Sequence, residues 1–136
     1  MNQELKPLKG YCENFGWAVE ERADNTFTAE VTGEGGQEKT VWIVSTNGVV
    51  ELSVQSGLVF DEDDDFPGFL STMMLRLNSK MDYGFWCTEK LSGKKIASIM
   101  HNLPPENLDK ASFKTMVGKM TASCLELEKS LAELTS

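Results

Sequence analysis

The dipeptide Asn47-Gly48 constrains this chain more than any other feature. Both residue types tolerate positive φ, which a two-residue type I′ turn needs, and such a turn joins strands that run antiparallel. The flanking residues agree. Residues 49–55 alternate, with Val50, Leu52 and Val54 inward and Glu51, Ser53 and Gln55 outward. Residues 40–46 are apolar on both faces at their centre, Val41-Trp42-Ile43-Val44, the pattern expected of a central strand covered on both sides. Ser56-Gly57 then lets the strand bend or end, and residues 58–60 either extend it or lead out of it.

More strands follow from the same reading. Residues 17–22 alternate weakly, Ala23-Asp24-Asn25 supplies a turn, and residues 26–32 set Phe27, Ala29 and Val31 against Thr28, Glu30 and Thr32. Gly33-Glu34-Gly35-Gly36 reads as a hairpin loop; it lacks the Lys-Ser/Thr ending and following helix of a phosphate cradle. Residues 83–88 and 94–101 pair around Ser92-Gly93. In the second of these, Ile96, Ser98 and Met100 face one way and Ala97, Ile99 and His101 the other.

Three helices complete the pattern. Leu5, Leu8, Cys12 and Phe15 form one stripe over residues 3–15, with Pro7 suited to the first turn and Gly16 to the end. After Phe66-Pro67, the residues Phe69, Leu70, Met73, Met74 and Leu77 mark a middle helix. Leu103-Pro104-Pro105 breaks the chain. A last helix is predicted from residue 105 or 106 to about 134; at 1.5 Å per residue it is roughly 40 Å long, so its end frays or packs on another chain. The expected fold is a single α+β domain over residues 1–136, an antiparallel sheet of five to six strands with three helices.

Charge and cysteine usage bound the function. A formal net charge of -8 repels phosphate backbones and anionic membranes, and suits a basic partner segment. Cys12, Cys87 and Cys124 are far apart, with no C-x-x-C pair and one histidine, His101, so no zinc finger or ribbon is expected within the chain. There is no signal-peptide-like leader and no run of about 18 apolar residues, which points to a reducing, cytoplasmic compartment with free thiols.

Sites with chemistry are weighed one by one. Asp61, Glu62, Asp63, Asp64 and Asp65 form an acidic run, but a calcium loop counted from Asp61 needs Gly and Glu where Phe66 and Thr72 stand. Acids before the middle helix are expected to answer its N-terminal partial charge, and the run is a candidate patch for a basic partner segment. Cys12 and Cys124 lie on apolar helical stripes and Cys87 alternates with Phe85 in a strand, so they read as small hydrophobes. No nucleophile elbow accompanies His101. The methionines 73, 74, 81, 100, 116 and 120 read as core filler, with an adaptable binding surface as the alternative. No catalytic residue, metal ligand or cofactor is expected.

Residues 69–131 resemble the class I type III secretion chaperone fold and its Tir-chaperone-like and YbjN-like bacterial relatives. The residues that carry the resemblance are Leu75-Arg76-Leu77-Asn78 at the end of the middle helix, Gly84-Phe85-Trp86 in the next strand, Leu103-Pro104, and the long final helix. The earlier half matches in element order. The resemblance implies a small acidic homodimer, without enzymatic activity, that binds an extended or unfolded segment of another protein. It implies a dimer interface through Phe69, Leu70, Met73, Met74, Leu77, Tyr83 and Phe85. The YbjN-like relatives imply an alternative, a regulator of signalling or stress responses. The chain departs from many secretion chaperones in Trp42, Trp86 and the acidic run.

Overall fold

The computed structural model describes residues 1–106 and 108–135, without the side chain of residue 135. The elements run α1 (Lys6–Asn14), β1 (Ala18–Ala23), β2 (Thr26–Thr32), β3 (Glu38–Thr46), β4 (Val49–Asp61), α2 (Gly68–Asn78), β5 (Phe85–Leu91), β6 (Lys94–Leu103) and α3 (Lys110–Thr135). This is the expected α+β order with six strands. All neighbours pair antiparallel in the order β1-β2-β3-β4-β6-β5.

The turns act as their residues dictate. Asn47 and Gly48 both have positive φ, and so do Ser92 and Gly93; two-residue turns of this kind match the right-handed strand twist. They set the β3–β4 register at Ile43↔Leu52 and the β5–β6 register at Trp86↔Ile99. Pro7 lies in the first turn of α1, where no helical donor is lost.

That register stacks one apolar face. Phe27, Ile43, Leu52 and Ile99 are completely buried in adjacent strands, and α3 supplies Phe113, Val117, Met120 and Cys124 against them. Leu8 and Cys12 from α1 and Leu70 and Met74 from α2 fill the two ends. At about 25 cal/mol per Å² of apolar area, this layer is the main source of stability.

Four expectations need correction, and the alternatives left open after Ser56-Gly57 resolve to an extended strand. The strand at residues 40–46 is not covered on both sides: Val41 and Ile43 are buried, while Trp42 and Val44 are half-buried and stand outside the core. The last helix begins at Lys110 rather than residue 105 or 106, because the Asp109 carboxylate accepts the Ser112 N–H at 2.8 Å and so ends the chain's extended approach. The predicted helical stretch includes residue 107, which lies outside the described residues. The first helix is shorter than residues 3–15, since its first turn forms around Pro7. Strand β4 continues through Ser56-Gly57 to Asp61 by way of an irregularity between Gln55 and Val59. There the Ser56 hydroxyl donates to the Ala97 carbonyl at 2.6 Å and accepts the Leu58 N–H, so the bulged backbone stays satisfied. Finally, the acidic run does not cap α2, whose first turn holds no acid and whose N-cap is Pro67. Macrodipole effects fade within one turn, and Asp61 and Glu62 are paired instead with Lys94 and Lys90.

Candidate functional site

Six strands have two faces, and the helices pack on one. On the other lie Trp42 and Val44 of β3, Val59 of β4, Phe85 of β5, and Ile96 and Met100 of β6. Phe85 is 40% exposed and Val59 46%, and Trp42, Val44, Ile96 and Met100 are half-buried by strand neighbours without joining the core. A sheet face in a two-layer domain ordinarily either turns polar or is covered. This one mixes an uncovered apolar centre with polar flanks, among them Glu20, Thr28, Glu30, Thr40 and Glu51.

Its polar groups are held within the sheet. Arg22 donates to the Thr28 hydroxyl, pairs with Glu20 at 3.2 Å and lies over the Trp42 ring. The Thr40 hydroxyl donates to Glu30. Glu89 lies across β6: its Oε2 accepts the Ser98 hydroxyl at 2.7 Å and the Ser53 hydroxyl of β4 at 3.3 Å. Ser98 is completely buried beneath it.

The edge beside this face is closed at one point. The Asn78 side chain, at the end of α2, accepts the Trp86 N–H at 2.5 Å and donates to the Trp86 carbonyl at 3.1 Å. It thereby occupies the groups with which another strand would pair. Gly84 lets the chain turn into β5. Its φ is +82°, and a Cβ would stand 2.8 Å from Ile99 Cγ2 and 3.0 Å from the Met100 carbonyl oxygen.

The residues expected at a dimer interface divide. Phe69 is 64% exposed, and with Met73, Arg76, Leu77 and Lys80 it lines a shallow groove of about 390 Å³ on the outer side of α2. Leu70 and Met74 point into the chain's own core. Tyr83 is half-buried against His101, and Phe85 stands on the uncovered sheet face. A larger cleft, about 1010 Å³, runs between residues 31–37 and the α3 stretch from Thr115 to Lys129. The buried Thr121 hydroxyl on its wall has no hydrogen-bond partner.

The reactive side chains are quiet. Burial pushes the Cys12 and Cys124 thiols up to about 12 and Cys87 to about 11, so all three are protonated at neutral pH and poor nucleophiles. His101 Nδ1 accepts the Gly84 N–H at 3.0 Å, which requires the neutral ring, and desolvation lowers its pKa. Among the described residues, no group of three or more His, Cys, Asp or Glu could hold a metal ion, and the acidic run lies exposed along the β4–α2 connection. Among them also, no helix is long and apolar enough to cross a membrane.

Comparisons with protein-family models, curated proteins and solved structures give no match. The sequence reading missed the uncovered face because alternation cannot say whether a second apolar stripe will meet a helix. The signal was the adjacent pair Trp42-Ile43, read there as burial on both sides. Glu89 gave no signal at all, since its two hydroxyl partners come from other strands.

Proposed function

We propose that this chain is a non-enzymatic, chaperone-like protein-binding module that works as a homodimer and captures a segment of another polypeptide. The observation that carries the reading is the apolar surface left over once the core is complete: the centre of the uncovered sheet face at Trp42, Met100 and Phe85, and the outer side of α2. Contiguous apolar surface of this kind marks protein contacts in soluble domains. Three free thiols, two of them fully buried, suit a reducing cytoplasm.

The outer side of α2 suits self-association. Phe69 and Leu77 stand symmetrically about Met73 along the helix. Asp63, Asp64 and Asp65 precede the helix, while Arg76 and Lys80 lie at its end. An antiparallel pair of α2 helices across a two-fold axis would set the acids of one copy beside the cations of the other, as an isologous interface requires. The acidic run then serves the dimer as well as any basic partner.

Light scattering at micromolar concentration tests the dimer: about twice 15.1 kDa is expected for the native chain, and a monomer for Phe69→Glu. A 15.1 kDa particle for the native chain overturns it. Affinity capture from native extract tests the binding role, and recovery of no protein partner counts against it. Altered expression of many genes on deletion, with no stabilised client, favours a regulator of the YbjN type.

A further inference from the structure

We infer that the uncovered sheet face docks a cationic amphipathic helix from a partner protein and that Glu89 anchors one of its basic side chains. The inference rests on the binding-module reading and names the surface and the chemistry of its occupant.

Area separates the possible occupants first. Six strands about 4.8 Å apart and averaging close to nine residues present a rectangle of roughly 700 Å². A stable interface between two whole proteins needs about 800 Å² from each. The face is therefore small for a second copy of the domain, yet a helix of about 16 residues spans its width of roughly 24 Å. The edge of β5 does not offer the alternative of strand addition at Trp86, because Asn78 already holds that residue's N–H and carbonyl.

Charge separates them again. Glu20, Glu30, Glu38, Glu51 and Glu89 share the face. Its cations are Arg22 and Lys94, and these are already paired with Glu20 and Asp61. Face-to-face docking of two copies would oppose like charges, whereas Lys or Arg side chains would find carboxylates around an apolar centre of Trp42, Met100 and Phe85.

Glu89 is the built part of this surface. The two serine hydroxyls fix the carboxylate flat across β6, and both bonds fall on Oε2. The other oxygen, Oε1, is left for an incoming cation. A carboxylate held in place spends little side-chain entropy on pairing, and a charge-assisted bond against an apolar floor is stronger than one in open water.

The test is an NMR titration with a 16-residue Leu/Lys peptide of helical period, read at the Trp42 indole N–H and assigned with Trp42→Phe. Micromolar binding that shifts this resonance is expected. Glu89→Gln keeps the shape and should weaken binding roughly tenfold, as loss of one half-buried charge-assisted pair does. Met100→Glu should remove it, and a Leu/Glu peptide should not bind. Neutralising Glu13 of α1 and Glu126 of α3, both exposed, to Gln together should leave the affinity within about twofold, since exposed charges off the site contribute little. Absence of binding overturns the proposal, as does binding that ignores Glu89→Gln or falls equally when Glu13 and Glu126 are neutralised. If the peptide fails while native partners are still captured, the docking face falls and the module reading stands; if capture fails as well, both fall.

Discussion

The two faces of the sheet are made by the same strands, alternate residue by alternate residue, and they end in different environments. Ile43 is completely buried under α3; its neighbour Trp42, on the other side of the same backbone, is half-buried with an arginine over its ring. Leu52 and Ser53 alternate likewise one strand away, Leu52 in the core and Ser53 buried at the Glu89 carboxylate on the other face. Apolar side chains on the helix face are spent on folding, whereas those on the bare face keep part of their apolar area in contact with solvent. Apolar character thus does not by itself mark the core; what distinguishes the faces is whether the chain had another element to place there.

The sharpest way to break this comparison is to shorten one residue on each face. Ile43→Ala should cost about 2–5 kcal/mol, because it leaves a cavity in a close-packed layer. Met100→Ala should cost under about 1 kcal/mol, since its surroundings are already open to solvent. Urea denaturation of both variants measures the difference, and equal losses would mean that the second face is covered too.

The next test addresses the boundary between the faces. Asn78→Ala should destabilise the fold by about 1–3 kcal/mol, because the Trp86 N–H and carbonyl lose their partner. It should also raise the hydrogen-exchange rate of the Trp86 amide and promote concentration-dependent aggregation through the opened β5 edge. Unchanged exchange at Trp86 would show that the edge does not depend on Asn78.

The smallest effect is expected from pH, and it falls on the helix face alone. His101 has its pKa lowered by desolvation. Below the ordinary imidazole value the unfolded chain takes up a proton that the folded chain lacks, so stability is full above that value and is lost as pH falls toward the lowered one. Protonation also removes the acceptor for the Gly84 N–H. The urea midpoint should therefore drop between pH 7.5 and pH 5.5 more in the native chain than in His101→Gln, and identical slopes would remove His101 from the account.

Much of the fold was legible because its signals are local. Asn47-Gly48 and Ser92-Gly93 fix two hairpins through their own dihedral preferences, and the alternation in residues 49–55 and 94–101 fixes which side chains share a face. The helix stripes at Leu8 and Cys12 and at Phe113, Val117 and Met120 fix the surfaces that must be buried. The start of α3 escaped the reading because Asp109 and residues 105–106 compete for it over a few residues, and the carboxylate that caps Ser112 is the stronger stop.

The chain's own residues determined the antiparallel α+β order, the turn positions and the net charge of -8. Only the tertiary structure decided that all three helices lie on one side, that Leu70 and Met74 turn inward while Phe69 turns outward, and that Ser53, Glu89 and Ser98 meet across three strands. The physical reason is range. Dihedral preference and side-chain period act over a few residues, but the choice of face for a helix, and the meeting of groups 36 residues apart in sequence, depend on how whole elements share a limited apolar area.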